Sequence, residues 1–150
     1  MLAATINTSR GQYTISTDQR QLDWIAIHAF LTTSYWSPGI SLDLIRKATS
    51  NSLAFGLFHV AEQVGFARVV TDTATFAYLA DVYVLPEHRG KSLAQWLMSV
   101  IIEHPDLQGL RRFLLATADA HKLYSRFGFQ PLSKPERLME IFRPDVYRAP

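Results

Sequence analysis

Asp81-Val82-Tyr83-Val84-Leu85-Pro86-Glu87-His88-Arg89-Gly90-Lys91-Ser92-Leu93-Ala94 is the stretch that decides the fold. It starts inside an apolar run, Phe76–Leu85, that reads as a strand and breaks at Pro86. Beyond the break Leu93, Leu97, Val100 and Ile101 recur at helical spacing until His104-Pro105. The polar turn thus joins a strand end to a helix start. The first N–H groups of a helix lack intrahelical acceptors, and the helix dipole adds partial positive charge there. Gly90, Ser92 and Ala94 are small enough to let an anion approach that backbone, and Arg89 and Lys91 add charge at the same mouth. A diphosphate suits this arrangement, and so does a plain polar turn that starts a helix well. The spacing is neither that of a phosphate-binding NTPase loop nor that of a dinucleotide site.

Working outward, the middle of the chain is strand-rich. Leu53–Val60, Val64–Thr71 and Phe76–Leu85 are apolar or β-branched runs, and the links Ala61–Val64 and Thr71–Thr75 are short enough for antiparallel hairpins. Upstream, Tyr13–Thr17 reads as a short strand, and Asp18 is placed to cap a helix running from Gln19 to about Tyr35. Ser37-Pro38-Gly39 breaks the chain before a second helix beginning at Ser41. Downstream, Arg112–Ala116 is a strand, and Ala120, Leu123, Tyr124 and Phe127 mark a short helix ended by Gly128. Phe129–Leu132 and Met139–Phe142 read as two last strands. This order predicts an α/β fold with a mixed sheet, a central meander and a right-handed parallel crossover from Phe76 to Ala116.

The 150 residues suit a single domain, with no repeat or linker-like stretch. Cysteine is absent, which excludes a disulfide framework, a thiol nucleophile and any Cys-based metal site. No histidine pair has metal-ligand spacing with carboxylates, so no metal is expected. Apolar runs fall far short of the ~20 residues a membrane span needs. Met1–Gln12 has no basic segment followed by an apolar one, so a soluble cytoplasmic protein is the default expectation. Net charge is only +2, but residues 109–150 hold eight Lys/Arg against four Asp/Glu, where residues 1–108 hold seven against nine. That basic excess favours an anionic ligand or is simply a solvated face.

The quoted stretch resembles the acetyl-CoA-binding signature of the GNAT N-acetyltransferase superfamily. That signature is a strand ending near a proline, followed by Arg/Gln-x-x-Gly-x-Gly/Ala at a helix start. Arg89-x-x-Ser92-x-Ala94 fits it with Ser92 in place of the first glycine. About thirty residues on, Ala120-x-x-Leu123-Tyr124-x-x-Phe127-Gly128-Phe129 resembles the family's second motif. The family often carries Asn three residues before that alanine, where this chain has Thr117. The resemblance implies the GNAT fold: a mostly antiparallel mixed sheet, helices on both faces and splayed central strands. It implies acetyl-CoA as co-substrate, its pantetheine arm along Val82, Tyr83 and Val84 and its pyrophosphate on the amides of Arg89, Gly90, Lys91, Ser92, Leu93 and Ala94. Thr117 and His121 fall on the cofactor side of the second motif. For His121, as for His28, a plain surface position is the simpler account.

Acetyl transfer to an amine needs a neutral nucleophile, a donor for the oxyanion and a proton for the departing thiolate. The resemblance assigns the last task to Tyr124, whose phenol is protonated at neutral pH. A backbone N–H near Val82 is the implied oxyanion donor. Asp81, a carboxylate within an apolar strand, is the candidate for amine recognition or base work. An ion-paired structural carboxylate and a water-mediated base are the alternatives. Tyr35 and Trp36 are candidate walls of the acceptor site, or ordinary core aromatics. The expected acceptor is a primary amine of a small molecule or peptide. A non-catalytic CoA-binding sensor on the same fold is the second reading. A nucleic-acid binder using Arg111, Arg112, Arg126, Arg137 and Arg143 is a third, with no recognition motif behind it. Neither nucleic acid nor membrane is an expected partner; a homodimer, with Met139–Phe142 offering an edge, is.

Overall fold

The computed structural model describes residues 4–148; residues 1–3 and 149–150, the ends of the expected domain, lie outside it. Six strands form one sheet in sequence order: β1 (Asn7–Arg10), β2 (Tyr13–Ser16), β3 (Leu53–His59), β4 (Glu62–Thr71), β5 (Phe76–Val84) and β6 (Arg112–Leu115). All neighbours are antiparallel except β5 and β6, which run parallel. The helices are α1 (Trp24–Leu31), α2 (Leu42–Ser50), α3 (Leu93–Ile102) and α4 (His121–Ser125).

The sheet buries both faces. Ile15, Phe55, Leu57, Val69 and Leu79 pack with Leu93, Leu97, Met98 and Ile101 of α3 and with Tyr124 of α4. Ala54, Phe66 and Tyr83 pack on the opposite face with Leu22, Ile27, Leu31 and Ile45 of the α1–α2 layer. Strand alternation produces the two layers, because successive side chains leave on opposite faces. Along β5, Ala77 and Leu79 face α3, yet so does Val84, while Tyr83 faces α1. An odd–even switch therefore falls between Leu79 and Tyr83. Phe66 pairs Tyr83 and Arg68 pairs Ala80, so β5 carries one extra residue there. Asp81 has φ +58, which marks it as the bulge.

Four differences from the sequence reading have physical causes. The helix expected over 19–35 is a 3₁₀ turn, Gln19–Gln21, followed by α1. Asp18 caps the turn through Arg20 N–H, and Asp23 caps α1 by accepting from Ala26 N–H at 3.0 Å. Two nearby aspartate caps divide what looked like one periodic run. β1, Asn-Thr-Ser-Arg, has no apolar pattern because it is a mostly exposed edge strand. β4 begins at Glu62 because the hairpin turns at Val60, with φ +57. Finally, neither Phe129–Leu132 nor Met139–Phe142 forms a strand within the described chain. Their sequences suit strands, but a strand exists only where a ladder partner lies alongside.

Candidate functional site

β5 and β6 pair from Phe76–Arg112 to Leu79–Leu115 and no further. Beyond Leu79 the β6 side of β5 has no strand beside it, so the backbone of 80–84 lines an opening between the two strands. The bulge at Asp81 sits where the opening begins. Val84 then leads into the turn that carries the chain to α3. One acceptor of this stretch is taken: Arg89 Nε donates to the Val84 carbonyl at 2.9 Å, which draws that guanidinium back toward the strand.

The turn itself is built for close backbone approach. Gly90 has φ +79, and no atom lies within 4 Å of where its Cβ would stand. Ser92 has φ +60 and occupies the N-cap of α3, yet its hydroxyl makes no capping bond. The first helical hydrogen bond comes from Trp96 N–H to the Ser92 carbonyl, which leaves the amides of Leu93, Ala94 and Gln95 outside the α3 ladder. Left-handed backbone costs a non-glycine residue about 1–2 kcal/mol, which accounts physically for a glycine preference at such a position. Lys91 Nζ lies 3.3 Å from the Tyr13 hydroxyl, which also bonds His88 Nδ1 at 2.8 Å. The lysine is thereby held against β2 at the far rim of the turn.

On the α1–α2 side, Asp81 uses both carboxylate oxygens. Oδ1 accepts from Trp36 Nε1 at 3.0 Å, and Oδ2 accepts from Arg68 Nε at 2.8 Å. Arg68 in turn donates to Ser52 Oγ at 3.1 Å. The ion pair is largely withdrawn from water, with side chains 17% and 10% exposed. A cavity of about 340 Å³ opens beside it, lined by Ser37, Ile40, Leu44, Arg68, Asp81 and Tyr147. Sequence reading missed Arg68, whose signal was a lone cation inside the apolar run of β4, and Tyr147, which had none.

Tyr35 and Trp36 stand edge to face, 5.0 Å between ring centroids, and both remain partly exposed. Trp36 reaches β5 through Asp81, and the Tyr35 hydroxyl accepts from Ala118 N–H at 3.1 Å in the β6–α4 loop. The pair therefore bridges the two splayed strands. Tyr124 is buried in the α3 layer, its ring 6.1 Å from that of Phe129. Burial, with smaller effects of Tyr35 and Asp119, pushes its phenol up to about 12. Thr117 is occupied in the turn that leads into α4, its Oγ1 accepting from Ala120 N–H at 3.0 Å. His121 is exposed and lines a groove on the free side of β6. Val82 is half-buried, whereas Tyr83 is buried, stacked on Phe30 at 4.0 Å. His28 is half-buried on α1, away from these groups in the sequence of elements.

A turn shaped for an anion, splayed parallel strands, a buried phenol and a carboxylate-lined cavity now stand together around β5. The chain belongs to the GNAT acetyltransferase family: residues 54–131 match the model of the acetyltransferase (GNAT) domain. A protein of the fungus Gibberella zeae, provisionally named an acetyltransferase, is 35% identical over 143 aligned residues, covering 80% of each chain. The crystal structure of a provisionally assigned GNAT acetyltransferase from Xanthomonas campestris is 49% identical and superposes with a TM-score of 0.91, covering 94% of this chain and 100% of that one. A Clostridium acetobutylicum protein crystallised with acetyl-CoA shares the fold at 13% identity, with a TM-score of 0.63 over 87% of this chain and 94% of its own. Among the described residues no helix is long and apolar enough to cross a membrane, and no His/Cys/Asp/Glu cluster suited to a metal occurs.

Proposed function

We propose that residues 1–150 form one N-acetyltransferase domain that moves an acetyl group from acetyl-CoA to a primary amine of a small molecule or peptide, by direct attack in a ternary complex. The observation that carries this reading is Tyr124, a buried phenol kept protonated in the α4 turn that follows the open end of the β5–β6 splay. The residues present fit acetyl-CoA: Gly90 and Ser92 hold the backbone open for a pyrophosphate, and the strand of Val82, Tyr83 and Val84 offers a ladder for an amide-bearing arm. Acetyl-CoA supplies an activated thioester carbonyl when bound. The neutral amine attacks that carbonyl; the C–N bond forms, the C–S bond breaks, and the amine proton leaves through Asp81 or an intervening water. Tyr124 gives its proton to the departing sulfur. A backbone N–H near Val82 faces the developing oxyanion. Tyr35 and Trp36 wall the acceptor side, and Arg68 holds the Asp81 carboxylate in orientation beside the cavity.

The same fold used only to sense CoA needs no acceptor space. The cavity of about 340 Å³ beside Asp81 favours the enzyme.

The test combines binding and turnover. Acetyl-CoA and CoA, but not ATP, raise the unfolding temperature by several degrees at saturating ligand. Tyr124→Phe keeps that shift and lowers kcat by about 10²–10⁴-fold in a free-thiol assay across an amine panel. Unchanged turnover in that variant removes Tyr124 from the mechanism. No shift with either CoA species removes the cofactor assignment.

A further inference from the structure

The ion pair on the wall of the cavity beside Asp81 is only partly satisfied. Arg68 donates from Nε to Asp81 and from Nη1 to Ser52, while its Nη2 makes no hydrogen bond among the described residues. Asp81 accepts from Trp36 and Arg68 alone. A guanidinium has five N–H donors and a carboxylate about four acceptor sites. The pair therefore presents unfilled cationic and anionic edges side by side.

Two further polar groups line the same space. Ser37 is only 7% exposed, and its hydroxyl makes no hydrogen bond among the described residues. A buried hydroxyl is costly without a partner, so one is expected to arrive with a ligand. Lys47 shares a face of α2 with Leu44 and forms no ion pair among the described residues. The charged lining is thus two cations against one carboxylate, set beside the apolar Ile40, Leu44 and Ile45. At about 340 Å³ the cavity lies at the small end of ligand sites, roughly 300–1,000 Å³.

These features narrow the acceptor. A polyamine would bring its second positive charge toward Arg68 and Lys47. A simple alkylamine would leave Nη2 and the Ser37 hydroxyl unanswered. A molecule with ammonium and carboxylate on one carbon matches the ion pair head to tail. We infer that the acceptor is a free α-amino acid with an aliphatic side chain, its nitrogen toward Asp81, its carboxylate toward Arg68 and Lys47, and its side chain on the apolar wall. This identification rests on the acetyl-transfer reading above. The α-ammonium loses one proton before attack. The nitrogen then forms the C–N bond as the C–S bond breaks, and a second proton leaves the nitrogen while the thiolate takes one up. The products are the N-acetylamino acid and CoA.

L-Leucine, L-leucinamide and 3-methylbutylamine carry the same side chain and differ at the carboxylate. In a free-thiol assay with acetyl-CoA, kcat/KM for leucine should exceed that of the other two by about tenfold or more, the worth of one charge-assisted hydrogen bond. The leucinamide amine loses its proton more readily, so this preference opposes intrinsic reactivity. Arg68→Lys keeps a charge for Asp81 but loses the fork, and Lys47→Gln alters an exposed side chain. Both should narrow the leucine-to-leucinamide ratio. Calorimetry of leucine against the CoA-saturated protein reads the site without turnover. Equal or better use of leucinamide or 3-methylbutylamine overturns the proposal and leaves acetyl transfer standing. So does a ratio that neither variant changes. Leucine binding tighter than that of leucinamide, with no amine acetylated, supports the amino-acid site and removes acetyl transfer. Neither binding nor turnover overturns both.

Discussion

Two non-glycine residues at positive φ, Asp81 and Ser92, flank the strand end and the turn that follow one another in this chain, and they are held in opposite ways. Asp81 is over-determined: Trp36 and Arg68 grip its two oxygens, and Ser52 grips the arginine. Ser92 is held only by the chain on either side, since its side chain caps nothing. The same kind of backbone strain thus serves two ends. At Asp81 surrounding contacts fix a side chain in place beside the cavity. At Ser92 the strained backbone opens a helix whose first amides lie outside the α3 ladder.

The comparison is most easily broken at Arg68. Arg68→Leu leaves the Asp81 carboxylate largely buried beside an apolar group. It should lower unfolding stability by about 3 kcal/mol in urea titration, since removing one partner of a buried pair strands the other. A loss below about 1 kcal/mol would show that the bulge stands without its ion pair. The double variant Arg68→Leu/Asp81→Leu sharpens the point, because removing both charges should recover much of that loss.

Ser92→Gly probes the other position with a smaller effect. Relief of left-handed strain, offset by greater freedom of the unfolded chain, should stabilise the protein by ~0.5 kcal/mol. Acetyl-CoA affinity, read by calorimetry, should hold or rise. Weaker binding in that variant would mean that the hydroxyl is itself a ligand donor.

The smallest effect sets the acid baseline for both. His104 is buried, its Nδ1 accepting from Asp106 N–H at 3.0 Å. Burial lowers its pKa from the ordinary 6.5, with Asp106 opposing. A depressed pKa in the folded state gives stability that is present above about pH 6.5 and fades as pH falls below it. Unfolding between pH 7.5 and 5 should therefore show a shallow decline that His104→Gln flattens. An equal decline in that variant would assign acid sensitivity elsewhere.

Much of this was legible in the chain. The meander, the parallel crossover and the breaks at Pro38 and Pro86 follow from local periodicity and turn chemistry. Ser41 caps α2 as its position predicts, accepting from Leu44 N–H. The turn was legible as a strand-to-helix junction, because Pro86 ends one period and Leu93 begins the other. The motif singled out Tyr124; the burial that raises its pKa was not legible, since desolvation depends on the α3 layer that covers it.

Local pattern alone set the order of elements and the position of the strand-to-helix turn after Pro86, because short-range sterics and hydrophobic period govern both. Only the tertiary structure decided that Asp81 is a bulge, that Arg68 is its partner thirteen positions upstream, and that Tyr147 returns to the same cavity. It also decided that Met139–Phe142, a strand by composition, pairs with no strand among the described residues. Pairing across a sheet is a long-range event, and no local pattern records which edge remains open.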